Sequence, residues 1–228
     1  MARAREAPVL ILSAFAPELS PLLDWLGAPA QRALRAGVIC RPAGIGAVDA
    51  AAGAAQAIAQ VEPRLVLFVG TAGRYGDAPP TGGCAVARRL SLAPTAVLRG
   101  EAYLPGPMQH QLTTDARLRR ELRVGPRTPL ADVATTLGIT SRRALATRLA
   151  ATGAALENLE AFAVARAAAR AALPFGAVLG VANRVGPQAH REWRANAGAA
   201  TRAACAVVQA WLVTAGQAAA PRGTAKRR

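Results

Sequence analysis

Lysine is almost missing from this chain: Lys226 is the single one, although Lys and Arg together number 28. Aromatic residues make up 4% of the sequence, histidines number two and cysteines three. Each shortage excludes something. The cysteines, Cys40, Cys84 and Cys205, are widely spaced among apolar or small residues, which suits buried thiols and gives no disulfide framework. His110 and His190 lack ligand spacing, so no metal and no other cofactor is expected. No apolar stretch reaches the about 18 residues that cross a bilayer. The start, Met1 to Glu6, leads directly toward a strand rather than a signal h-region, so the expectation is a cytoplasmic protein with no membrane partner. Aromatics are too few for stacking platforms on single strands. The net charge of +15 is carried by Arg scattered through an Ala- and Gly-rich chain, as a GC-rich coding sequence would give, and not by a basic stripe. Nucleic acid is therefore not an expected partner.

What is present suffices for one α/β domain. With 228 residues and 52% hydrophobic content the chain can bury a complete core, expected over 1–215, and the basic stretch 216–228 reads as a disordered, solvated tail. Val9 to Leu12, Val38 to Cys40, Arg64 to Val69 and Phe175 to Ala182 are short apolar runs, the pattern of strands buried on both faces. Ala-rich helices follow: from Gly46 to near Val61, from Glu160 to Ala172 with Pro174 ending it, and from about Arg191 to Leu212. Ala131 to Leu137 reads as a further strand, Cys84 to Ala87 as a short one and Asp115 to Arg123 as a helix. Ser141 is the expected N-cap of a helix from Arg142 to Thr152. Between Arg88 and Gly125 the prolines Pro94, Pro105 and Pro107 break any longer pattern, and Tyr103 and His110 there are candidates for the edge of a substrate pocket, with ordinary surface or partly buried side chains as the plainer reading. The architecture predicted is a three-layer α/β/α sandwich around a central mixed sheet.

Ligands of open α/β sheets sit beyond the carboxyl ends of the strands, so polar residues at those ends carry the functional expectation. Glu18 follows the first strand, with Pro17 suited to a first helical turn. Gly44-Ile45-Gly46 opens a helix with amides free for an anion or a sugar. Gly70-Thr71-Ala72-Gly73 is the turn after a strand, and Asn183 stands at the end of the last one, with Glu160 facing the same crevice. Taken singly, each has a plain structural explanation: both glutamates suit the positive end of a helix dipole, and Gly70 to Gly73 suits an ordinary connection.

Taken in order, these segments resemble the nucleoside phosphorylase and nucleosidase superfamily. Asn158-Leu159-Glu160-Ala161 stands where members carry acidic-Met-Glu-Ala, and Ala182-Asn183 where a later strand ends in Ser-Asp or Ser-Asn. Gly44 to Ala51 matches Gly-Ile-Gly-x-Val-x-Ala-Ala, Gly70 to Gly73 matches Gly-Thr-Ala-Gly, and Glu18 closes an Ala-x-x-x-Glu loop. Asn183-Arg184-Val185-Gly186-Pro187 with Trp193 close behind is most similar to the futalosine hydrolase branch; methylthioadenosine/S-adenosylhomocysteine nucleosidases are similar too. The resemblance implies hydrolysis of the N-glycosidic bond of a modified purine nucleoside, futalosine-like or a 5′-substituted adenosine, by a homodimer or higher homo-oligomer. It implies a ribose clamp at Glu160, a water-directing base at Glu18, a base contact at Asn183, and further substrate contacts from Asn158, Leu159, Ile45, Thr71, Ala72 and Gly73. The segment before the helix at Arg142 is implied to touch the base.

Three departures stand out: Asn158 in place of an acid, Asn183 in place of the Asp of purine-releasing relatives, and Leu179 in place of a common Arg. They keep open a phosphorylase-type enzyme and a catalytically weakened nucleoside-binding protein. Against phosphorolysis stands Glu18, whose carboxylate would repel a phosphate dianion with only Arg41, Arg74 and Arg184 near the motif loops to offset it.

Overall fold

The apolar runs become the middle of an eight-stranded mixed sheet in a computed structural model that describes residues 7–77, 79–123 and 128–219. Its strands are β1 (Val9–Ser13), β2 (Val38–Pro42), β3 (Leu65–Arg74), β4 (Cys84–Leu92), β5 (Gln111–Thr113), β6 (Leu130–Thr135), β7 (Leu156–Asn158) and β8 (Phe175–Arg184). They lie in the order β2-β1-β3-β7-β6-β4-β5, and β8 pairs with both β3 and β4. β1 is parallel to β2 and β3, and β3 to β8, whereas β8 meets β4 and β7 meets β3 antiparallel. The path β3-β8-β4-β6-β7 therefore closes on itself. Twist accumulates along the ten-residue strands β3 and β8; a register shift at Ala72/Gly73 leaves Ala182 of β8 as the extra residue, and the end of β3 pairs with β7 as well.

Alternation along the strands sends side chains to two apolar cores. Leu10, Leu12 and Phe68 meet Ala50 and Ala54 of α3 (Ala47–Val61) and Phe162 and Val164 of α7 (Ala161–Arg170) on one face. Val9, Ile11 and Leu67 meet α1 (Ser20–Gly27), α5 (Ala116–Leu122) and α8 (Ala189–Ala219) on the other, through Leu22, Leu118, Val208 and Trp211. The short helices α2 (Arg32–Arg35), α4 (Thr95–Leu98) and α6 (Arg143–Ala150) complete the chain. Three layers result, with the mixed sheet in the middle.

β4 is tied to β6 by charge. A register shift between Ala87 and Leu90 brings the consecutive residues Arg88 and Arg89 to one carboxylate, Asp132, at 2.8 Å each. Asp132 is buried and its pKa is lowered, by the hydrogen bond from Arg88 first and in spite of desolvation.

Several expectations need correction. Gly70 to Gly73 is no turn: both strands stay paired as far as Arg74 with Arg184, because β8 on one side and β7 on the other supply partners for the β3 backbone. Asn183 is for the same reason a strand residue. Ser141 does not cap α6, whose N-cap position is Arg142 with no side-chain bond. The last helix is longer than expected, since α8 takes in Ala189 at its start and reaches Ala219, four residues into the expected tail; residues 220–228 lie outside those described. Cys84 and Cys205 are buried and Cys40 partly so, all three as free thiols. Among the described residues no helix is long and apolar enough to cross a membrane.

Candidate active site

The carboxyl ends of β1, β3 and β8, together with β7 and the starts of α7 and α8, enclose a cavity of about 310 Å³. That is the scale of a small-molecule site. All nine residues singled out from the sequence border it: Glu18, Ile45, Thr71, Ala72, Gly73, Asn158, Leu159, Glu160 and Asn183. Tyr103, 84% exposed, and His110 do not.

Glu18 ends a short 3-10 turn, Ala16–Glu18, with Pro17 inside it, and is only 4% exposed. Its Oε1 accepts both the amide and the hydroxyl of Thr71, each at 2.8 Å, while Oε2 accepts the amide of Ala14 at 3.2 Å. Burial pushes the carboxyl from 4.5 to about 7. The two Thr71 bonds oppose the rise, and the charge of Glu160 adds to it. A surface acid placed for a helix dipole has neither this burial nor this pKa; a base poised near neutrality has both.

Glu160 occupies the N-cap position of α7 without capping it. The capping falls to Asn158, whose Oδ1 accepts the amides of Glu160 at 2.9 Å and Ala161 at 2.6 Å. Asn158 Nδ2 donates to Glu160 Oε2 and to the Thr71 carbonyl, both at 3.0 Å. Every hydrogen-bonding position of this amide is thus used inside the protein. An acid at 158 has no N–H to give Glu160 and would face it with like charge, which accounts physically for the asparagine. Glu160 Oε1 accepts the Gly46 amide at 2.9 Å. Gly46 has φ +82°, a conformation open to glycine at little cost, and its N–H is engaged by Glu160 instead of being free for an anion or sugar as the Gly-x-Gly pattern suggested. Burial raises the Glu160 pKa, against the bonds from Gly46, Asn158 and Leu159.

Asn183 is buried near the end of β8, with Nδ2 donating to the Arg184 carbonyl at 3.0 Å. Gly73 lies under it: a Cβ there would stand 2.8 Å from Nδ2. A third buried acid, Glu157, borders the cavity and accepts the Tyr75 hydroxyl at 2.9 Å and the Thr140 amide at 3.1 Å, tying β7 to the segment before α6. In that segment Ile139 borders the cavity, while the buried Thr140 hydroxyl has no hydrogen-bond partner among the described residues. Phe15, His190 and Trp193 make an aromatic wall, with ring centroids 6.3 Å apart for Phe15–Trp193 and 6.1 Å for His190–Trp193. Of the residues sequence reasoning missed, Glu157 had one signal, its place next to Asn158. Ile139 had one as well, its place in the segment before the helix at Arg142, though only as a region; Phe15 and His190 had none, because only folding brings their elements together.

Among the described residues no Arg or Lys lines the cavity. Arg41 donates to Gln60 at 2.6 Å, and Arg74 and Arg184 both reach Asp77, at 3.2 and 3.4 Å.

The family model described as the phosphorylase superfamily matches residues 34–213, a stretch that begins after Glu18. No curated protein matches the chain in sequence. Solved structures of similar fold include the 5′-methylthioadenosine/S-adenosylhomocysteine nucleosidase of Helicobacter pylori, at TM-score 0.82 and 14% identity over 92% of this chain and 100% of that one. The futalosine hydrolase of Helicobacter pylori aligns at TM-score 0.80 and 15% identity, over 91% of this chain and 97% of that one. The 5′-methylthioadenosine/S-adenosylhomocysteine nucleosidase of S. pneumoniae aligns at 0.77 and 18%, over 90% and 98%. At such identities these likenesses speak for the fold. The family model spans well over half of the sequence, and the chain belongs to the phosphorylase superfamily.

Proposed function

We propose that the protein hydrolyses the N-glycosidic bond of a purine nucleoside with a modified 5′ position, releasing the free base. The observation that carries this reading is a set of three buried acids, Glu18, Glu157 and Glu160, on one cavity that no Arg or Lys lines among the described residues; Glu157 is held by Tyr75 and Thr140, which leaves Glu18 and Glu160 for the chemistry. Breaking the bond leaves positive charge on the ribosyl ring and negative charge on the base. Glu160, preset by Gly46 and Asn158, accepts hydrogen bonds from the ribose hydroxyls and favours the cationic ring, as preorganised electrostatics requires. Glu18 takes the proton of the attacking water. Its Oε1 already holds two donors, so Oε2, with one longer bond, is the basic atom.

Asn183 has a second Nδ2 hydrogen beyond the one given to Arg184, and this N–H supports the charge of the departing base. An amide cannot hand over a proton outright, so the base collects its proton from a water, and the hydroxide left behind takes the proton that Glu18 received, which restores the ionised base. Ile45, Leu159, Ala72 and Gly73 pack around the sugar, and the wall of Phe15, His190 and Trp193 suits an apolar or aromatic 5′ extension. Asn158 positions Glu160 instead of touching substrate. A homodimer or higher homo-oligomer is part of the reading, supported by Ile45 and Ile139, which border the cavity yet are 63% and 58% exposed; sedimentation velocity tests it.

Water is preferred to phosphate because a dianion would enter beside three acids, Glu18, Glu157 and Glu160, with no Arg or Lys among the described lining residues to offset them. The resemblance in fold to futalosine hydrolase and to methylthioadenosine/S-adenosylhomocysteine nucleosidases directs the choice of test substrates. Incubation with futalosine and with methylthioadenosine should release hypoxanthine or adenine at a rate that added phosphate does not raise. Ribose 1-phosphate sugar as the product, or binding without base release, overturns the proposal.

A further inference from the structure

We propose that Trp193 is a positioning residue that sets the basicity of Glu18 through Thr71, by a one-way hydrogen-bond chain. The inference rests on the reading of Glu18 as the water-activating base. Trp193 Nε1 lies 3.0 Å from Thr71 Oγ1, and Thr71 Oγ1 lies 2.8 Å from Glu18 Oε1. An indole N–H only donates, so at the first contact the threonine oxygen must accept. Thr71 has one hydroxyl hydrogen, and with Trp193 occupying an acceptor site that hydrogen is directed at Glu18. Proton direction along the chain is thereby set: Trp193 to Thr71 to Glu18.

Three consequences follow for the carboxylate. The hydroxyl cannot turn its one hydrogen to a ligand without giving up the bond to Glu18, and with Trp193 donating to the oxygen from the other side, Oε1 keeps two short donors, the Thr71 hydroxyl and the Thr71 amide. Donation to the ionised form favours it, and donors polarised by a further donor favour it more. Third, the proton that Glu18 takes up is left to Oε2, the oxygen assigned to the water. The burial of Glu18 acts in the opposite direction, and the Thr71 hydroxyl, together with the amides of Thr71 and Ala14, restrains that rise.

The anchor of the chain belongs to a different element from the base it serves. Trp193 sits in the first turns of α8, half-buried between Phe15 and His190, whose rings meet it at 43° and 14°. Other groups near Glu18 are Glu160 at the start of α7, Cys205 of α8, whose thiol donates to the Glu18 carbonyl at 3.5 Å, and His190 on the same cavity. Trp193 and Thr71 carry no charge, so removing either changes the hydrogen bonding at Glu18 and leaves the charges around it as they were.

The test is the Trp193→Phe variant, which keeps an aromatic ring and loses the N–H, with Trp193→Leu as a second form equally unable to donate. The Glu18 titration is read directly by carbon-13 NMR of side-chain-labelled glutamate, assigned with Glu18→Gln, and the pH profile of kcat/KM is measured alongside. Both variants should raise the Glu18 midpoint by about half a unit or more, and the acid limb of the rate profile should move with it. On a Thr71→Val background the same substitutions should add no shift, since the link they act through is gone. An unchanged midpoint in both variants overturns the inference, as does an equal shift on the Thr71→Val background, which would make the effect one of packing. A shifted NMR midpoint with an unmoved rate profile supports the chain and overturns Glu18 as the base.

Discussion

Asn158 and Glu160 hold each other by two reciprocal bonds: the asparagine Nδ2 donates to Glu160 Oε2 at 3.0 Å, and its Oδ1 accepts the Glu160 amide at 2.9 Å. One side chain thus caps a helix and aims the acid at that helix's start. Replacing it with aspartate removes the donor to Glu160 and to the Thr71 carbonyl and adds a like charge. Asn158→Asp should cost about 1–3 kcal/mol of stability by urea unfolding at pH 7.5, and kcat/KM for nucleoside cleavage should fall with it.

Glu160→Gln separates chemistry from stability. Losing the charged acceptor should cost on the order of 3 kcal/mol at the transition state, roughly a hundredfold in rate. The melting temperature should change little, because the relief of a buried charge is offset by an amide NH2 set against donors from Gly46 and Asn158. A variant that melts early yet cleaves at the parental rate would remove Glu160 from the site.

For Glu18 the sign of the pH dependence is determined by a folded pKa of about 7 above a free value of 4.5. The folded protein holds the extra proton between those values, so the stability this group contributes is complete below 4.5 and is lost as pH rises through 7. Catalysis runs the other way, since the base must be ionised. Activity should rise across pH 6 to 8 with a midpoint at about 7 while stability from this group declines. Glu18→Gln should abolish the activity and flatten that part of the stability profile, measured by denaturant unfolding at pH 5 and pH 8.

Asn183→Ala should lower cleavage by about tenfold or more, as loss of one donor at a developing anion does. Asn183→Asp should restore a proton donor and move preference toward adenine-type nucleosides. Equal base preference and turnover in the alanine variant would place Asn183 outside the chemistry.

Thr140→Val addresses a buried hydroxyl that has no partner among the described residues. An isosteric methyl there removes an unsatisfied polar group, so the variant should be as stable as the parent or more so by about 1 kcal/mol, against the usual loss for a core substitution. Thermal unfolding decides it.

Much of this was legible in the residues. Continuous apolar runs such as Val9 to Leu12 and Phe175 to Ala182 can only be strands covered on both faces, and that alone requires helices above and below the sheet. The Gly-rich and acidic segments at strand ends marked residues that prove to share one cavity. What the chain could not show is which atoms meet. Glu18 and Thr71 are 53 residues apart, Tyr75 and Glu157 82, and Gly46 and Glu160 114. Local sequence carries periodicity and turn chemistry, so it determined the elements, the three layers and the candidate acids. The closure of the sheet through the three-residue β7, the use of the Gly46 amide by Glu160 and the near-neutral pKa of Glu18 were decided by the tertiary structure, because desolvation and hydrogen-bond donors are supplied by whatever packs against a side chain from elsewhere in the chain.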